Sequence, residues 1–276
     1  MWKHLWNLLD KIDSQALIAI LNLMQKVFIC LSLFLILFSF IGCTSWVARN
    51  KNEALLHLQI GTGALQGGQY PQALSELLTA EQLDGDNPLI QNNLGLAYYF
   101  RERPDLAETH LRRALALKPD YTDARNNLSR VLMDRGQYKE AYEQARLASE
   151  DLTYPSPEKP LLNMGLALFK IGNYKDAKAR FLKSLGYQHD NCLSNNYYGR
   201  SLYELKDFTH AAEALDRAVS FCQKNLFDEP HYYSALTYFQ LGQKAKAEVR
   251  FEELLKLYPN GQYRDKAKEM LDTIRR

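Results

Sequence analysis

Residues 88–121 read PLIQNNLGLAYYFRERPDLAETHLRRALALKPDY, two amphipathic segments divided by a short polar break and followed by a proline. Leu94, Gly95 and Tyr98 fall at helical spacing in the first segment, and Ala107, Leu111 and Ala114 in the second, so each segment lays an apolar stripe along one helix face. Gly95 and Ala107 are the small members, which places them facing each other where the two helices of a hairpin approach most closely. Pro119 stops the second helix and begins the next unit.

The pattern recurs along the chain. Aligning on the central alanine pairs Gly61 with Ala73, Ser129 with Ala141, Gly165 with Ala177, Gly199 with Ala211 and Ala235 with Ala247. The breaks agree independently: Gly-Gln-Tyr at 68–70 and 136–138, Gly-Asn-Tyr at 172–174 and Lys-Asp-Phe at 206–208 fall at one place in the unit. These positions resemble the tetratricopeptide repeat, a helix-turn-helix unit of about 34 residues. The expected fold is all-α, a right-handed TPR superhelix (an α-solenoid) of six repeats at 54–87, 88–121, 122–155, 158–191, 192–225 and 228–261. Residues 262–276 form a capping helix, with Ala267, Met270, Leu271 and Ile274 inward and charges elsewhere, as the end of a solenoid requires. The join at 152–160, LTYPSPEKP, holds three prolines and reads as an extended loop that changes the superhelical pitch, not as a domain boundary.

Composition fits this architecture. The 46% hydrophobic and 24% charged residues, with a formal net charge of +2, describe a folded globular chain without a strong pull on nucleic acid. Seventeen Tyr and twelve Phe supply the large knobs.

The N-terminal end reads as an address. Residues 27–42, VFICLSLFLILFSFIG, form an uncharged run of about 16 residues, short against the roughly 20 of a spanning helix and suited to a secretory core. Phe40-Ile41-Gly42-Cys43 resembles a bacterial lipobox, although Phe40 stands where Leu is usual. The expected organisation is a signal peptide at 24–42 beginning at Met24, a lipidated linker at 43–53 starting with Cys43, and an upstream extension at 1–23. Thr44 is not the aspartate that retains lipoproteins in the inner membrane, so the periplasmic face of the outer membrane is the expected location. The alternative is an uncleaved inner-membrane anchor facing the periplasm, lengthened by apolar residues 16–23.

The resemblance to the repeat family implies that first helices line the concave surface. Asn92, Asn93, Asn126, Asn127, Asn163 and Asn196 fall there, joined by Tyr99, Phe100, Phe169, Tyr197, Tyr203, Tyr232, Tyr233 and Phe239. Asparagine both donates and accepts, so a ladder of them suits the backbone of an extended peptide. Aromatic rings add apolar area there, or else pack between helices. The paired lysines of a chaperone-tail carboxylate clamp are missing at the equivalent positions, so an acidic C-terminus is not the expected ligand.

Of the four cysteines, Cys30 lies in the signal and Cys43 is the lipid site. Cys192 and Cys222 open and close the fifth repeat, as a disulfide or as two buried thiols. The six histidines show no metal spacing, and Gly61, Gly63, Gly67 and Gly68 follow no strand, so they are not a nucleotide fingerprint. Neither catalysis nor a cofactor nor a small-molecule substrate is expected.

A signal peptide, a lipid-bearing cysteine, six repeats and a cap together resemble the type IV pilus lipoproteins of the PilF, PilW and Tgl kind. The Cys192 and Cys222 pair is similar to a repeat-internal pair in some members. The resemblance implies a pilotin that binds secretin subunits and supports their outer-membrane localisation, multimer assembly, pilus biogenesis and twitching. The competing class is a general periplasmic TPR adaptor for cell-envelope enzymes or proteases.

Overall fold

The computed structural model describes residues 14–223 and 227–276, apart from the side chains of residues 14–17, 20 and 30–48. Among the described residues there are thirteen α-helices and no strand. They are α1 Ser14–Gln66, α2 Tyr70–Leu83, α3 Pro88–Phe100, α4 Pro104–Leu117, α5 Thr122–Asp134, α6 Tyr138–Ala148, α7 Glu158–Lys170, α8 Tyr174–Tyr187, α9 Cys192–Glu204, α10 Phe208–Cys222, α11 Glu229–Gln240, α12 Lys244–Leu257 and α13 Arg264–Arg275. Consecutive helices pair as antiparallel hairpins, and successive pairs stack in a solenoid, with first helix also touching first helix.

Local chemistry sets the ends. Pro88 and Pro104 begin α3 and α4, where a missing N–H costs nothing. Asn87 accepts from the Leu89 N–H at 3.0 Å and Asn191 from the Ser194 N–H at 2.9 Å, capping α3 and α9. Between the helices of a pair the chain needs one residue of positive φ. Gly68, Gly136, Gly172 and Gly242 provide it without strain, whereas Glu102 and Lys206 adopt it at 58° and 62°.

The seam explains the small residues and amends their pairing. A Cβ on Gly95 would sit 2.6 Å from Leu111 Cγ and 3.2 Å from the Ala107 carbonyl oxygen, so the glycine admits the leucine and meets the alanine's backbone. Gly61 does the same for Leu77 and Gly199 for Leu215, while Gly165 makes room for the larger Phe181. Leu77, Leu94, Leu111, Phe181, Leu215 and Phe251 are fully buried, each worth about 1.5–3 kcal/mol.

At the proline-rich join the Tyr154 hydroxyl donates to Asp123 at 2.8 Å and the Thr122 hydroxyl to Asp151 at 2.6 Å, pinning the loop to α5. Leu152 projects from it, 96% exposed. At the far end α13 lays Ala267, Leu271 and Ile274 on α12, and Asp228 accepts from the Tyr263 N–H at 2.8 Å. Cys192 and Cys222 form a disulfide that joins the start of α9 to the end of α10, with Cα atoms 4.9 Å apart.

Cys43, Cys30 and most of the apolar run lie outside the described side chains, as do the residues before 14. Among the described residues no helix is long and apolar enough to cross a membrane.

Candidate protein-binding face

The asparagines do form a ladder, but most of its rungs are turned inward. The Asn127 amide donates to Asn92 Oδ1 at 2.9 Å, Asn92 to Asn93 Oδ1 at 3.0 Å, and Asn93 to the Thr62 hydroxyl at 2.7 Å. Thr62 in turn donates to the Leu58 carbonyl at 2.7 Å, so one relay links α5, α3 and α1. The Asn163 amide donates to Asn126 Oδ1 at 3.0 Å and to Ser129 Oγ at 2.8 Å, linking α7 to α5. Asn196 donates to Glu229 Oε2 at 2.7 Å, linking α9 to α11. Asn92, Asn126, Asn163 and Asn196 are buried, and their amides serve neighbouring repeats. The expectation that these four hold a peptide backbone is therefore corrected: they join first helices to each other. Asn93 and Asn127 remain half-buried, at the edge of a groove.

The aromatics divide in the same way. Phe169 is buried, edge-on to Tyr197 at 5.1 Å and to Tyr174 at 5.1 Å, and is corrected to a packing residue. Tyr232 stacks on Tyr263 at 4.7 Å, and both it and Phe239 pack against the last core cluster. Tyr203 meets Tyr233 edge-on at 5.7 Å. Phe100 stacks on Tyr70 at 4.6 Å yet stays 39% exposed. Tyr99 is half-buried and donates its hydroxyl to Asp134 at 2.6 Å. Burial pushes the phenols of Tyr99, Tyr197, Tyr203 and Tyr233 up, so all four are neutral hydrogen-bonding groups near pH 7.

Two arginines, which the pattern of asparagines and aromatics does not reveal, organise these rings. Arg200 lies 4.2 Å over Tyr233 and 4.7 Å over Phe169, and forms an ion pair with Glu229 at 2.7 Å. Glu229 also accepts from the Tyr263 hydroxyl at 2.7 Å. Arg130 lies 4.5 Å over Tyr99 and 5.5 Å over Phe100. The available signal was that each arginine follows an inward asparagine, Asn196 or Asn126, by one helical turn.

First helices alone, with the residue before α5, line a concavity of about 480 Å³ at the N-terminal half of the solenoid. Leu58, Leu65, Leu89 and Leu96 give it apolar walls, and Asn93, Asn127, Asp123 and Lys159 give it polar edges. It suits a protein segment that buries apolar side chains while its backbone meets amides. Among the described residues no group of three or more His, Cys, Asp or Glu is placed to hold a metal ion.

A TPR repeat model matches residues 65–99, and tetratricopeptide repeat models match 101–153, 162–225 and 231–261. The type IV pilus assembly protein PilF of Pseudomonas aeruginosa is 27% identical over 169 residues, 61% of this chain and 67% of that protein. A solved structure of Pseudomonas aeruginosa PilF superposes with a TM-score of 0.70 at 23% identity, covering 80% of this chain and 99% of that one. A structure of PilW, described as a widely conserved type IV pilus biogenesis factor, gives 0.70 at 22% identity, covering 77% and 97%.

Proposed function

Since the chain belongs to the tetratricopeptide-repeat proteins, we propose that it is a non-catalytic periplasmic scaffold of type IV pilus biogenesis. Lipid on Cys43 holds it to the outer membrane, and its concave face receives a segment of the pilus secretin, promoting localisation and multimer assembly. The observation that carries this is the 27% identity to a type IV pilus assembly protein, extending over 67% of that protein's length. The Cys192–Cys222 bond supports an oxidising compartment, where such pairs persist. A solenoid whose first helices are already joined suits the task, because repeats cross-linked by Asn127 and Asn163 keep the groove open before the partner arrives, which lowers the ordering cost of binding.

The test is deletion and complementation. Without the protein, secretin multimers should fall while monomer persists, with surface pili and twitching lost. Cys43→Ser should abolish incorporation of labelled fatty acid and release the solenoid from the outer-membrane fraction. Normal multimers in the deletion would reject the secretin function, and unchanged labelling in the variant would reject the lipid anchor.

A further inference from the structure

The fifth and third repeats carry the same arginine on the same kind of aromatic bed, with opposite charges opposite it. Arg200 lies over Phe169 of the preceding repeat, and Arg130 lies over Tyr99 of the preceding repeat. For Arg200 the following repeat supplies a carboxylate 29 residues ahead, Glu229, whose side chain is 7% exposed. The same 29-residue step from Arg130 reaches Lys159, an exposed residue at the edge of the concave groove. Among the described residues no carboxylate pairs with Arg130. Asp134, one turn further along α5, accepts from the Tyr99 hydroxyl at 2.6 Å and forms no ion pair with Arg130.

We infer that Arg130 and Lys159 receive a carboxylate from outside the chain, the side chain of an Asp or Glu within a bound apolar protein segment. The guanidinium is held against two rings, so little freedom is lost when it meets an anion. Lys159 adds a second positive charge, and Leu96 and Leu89 offer apolar contact on the neighbouring helix. Glu229 shows what the arrangement does when the carboxylate is internal: it locks two repeats together. In the third repeat the same lock stands open to a partner. The inference rests on the proposed reading only in that the concave face receives a protein segment, and it does not depend on that segment being a secretin.

The experiment is selection of random 12-residue segments displayed inside a carrier loop, without a free chain end, against the full-length protein in detergent. The wild type should enrich Asp or Glu at one position among apolar residues, with at least tenfold preference over Gln or Asn there. Arg130→Gln and Lys159→Glu should each lose that preference while still selecting apolar positions. Lys159→Gln changes an exposed side chain only, so it serves as the variant whose folding is not at stake. Selection of no segment, or of segments without acidic enrichment, would overturn the inference. So would acidic preference that appears only in a companion library with free C-termini, which would assign the site to a chain end. Acidic preference with normal secretin multimers in the deletion strain would keep this site and reject the secretin.

Discussion

Asn163 of α7 and Asn126 of α5 join two first helices across a repeat boundary, amide nitrogen to amide oxygen at 3.0 Å. The same nitrogen reaches Ser129 Oγ at 2.8 Å, and all three residues are buried. Asn163→Ala removes the donor to three acceptors, Asn126 Oδ1, Ser129 Oγ and the Asn126 carbonyl, so it should cost about 1–3 kcal/mol. Asn93→Ala acts at a half-buried edge where water replaces the amide, and should cost about 1 kcal/mol or less. Urea unfolding of both variants checks this. Equal losses would mean that the buried rung carries no more of the fold than the groove edge.

The disulfide closes a loop with a sequence separation of 30. By chain entropy its removal should cost about 3–4 kcal/mol, and the Cys192→Ser, Cys222→Ser double variant should match the reduced wild type. Guanidinium titrations with and without reductant make the comparison. Because Cys222 ends α10 just ahead of α11, the loss should be felt as earlier unfolding of the C-terminal helices in hydrogen exchange. Identical midpoints in the two redox states would exclude a stabilising bond.

The periodicity was legible because it is a packing constraint repeated in one chain. Gly95 and Leu111 must be small and large together, and Gly61 with Leu77 and Gly199 with Leu215 repeat the requirement, so any aligned copy displays it. The ladder was harder to read. Asn92 and Asn93 are adjacent, about 100° apart on a helix, so they cannot share one orientation. Which of them faces the next repeat depends on how the hairpins stack, not on the helix itself. The roles of Arg130 and Arg200 are not legible in the repeat itself, because the groups that give them meaning, Tyr99, Phe169 and Glu229, belong to other repeats.

The Arg200–Glu229 pair offers a second measure of how the C-terminal repeats hold together. Both side chains are largely buried, 14% and 7% exposed, and Glu229 also accepts from Asn196 and Tyr263. Glu229→Ala strands a buried guanidinium together with two donors, and should cost about 3–5 kcal/mol. Adding Arg200→Met should recover part of that loss, since the aromatic bed accepts an unbranched apolar chain. A double-mutant cycle by thermal unfolding reads the coupling, and strictly additive losses would show that the two residues do not act together.

His231 in α11 makes the stability of the fold depend on pH. The side chain is 1% exposed, lies edge-on to Tyr258 at 5.2 Å, and neither ring nitrogen has a hydrogen-bond partner. Burial, aided by the charge of Arg250, holds its pKa down from 6.5 to about 4, while Glu253, Asp228 and Asp216 pull weakly the other way. Between these two values the unfolded chain binds the proton that the folded chain refuses. Stability is therefore whole above about pH 6.5 and is lost as the pH falls toward 4, by about 3 kcal/mol across that window. His231→Phe keeps a ring against Tyr258 and removes the titration. Other acid-sensitive groups act equally in both proteins, so the wild-type minus variant difference in unfolding free energy isolates this residue. That difference should be flat above pH 6.5 and fall steadily to pH 4. A difference that stays flat across the whole range would mean that His231 is hydrated or hydrogen-bonded in solution and carries no linkage.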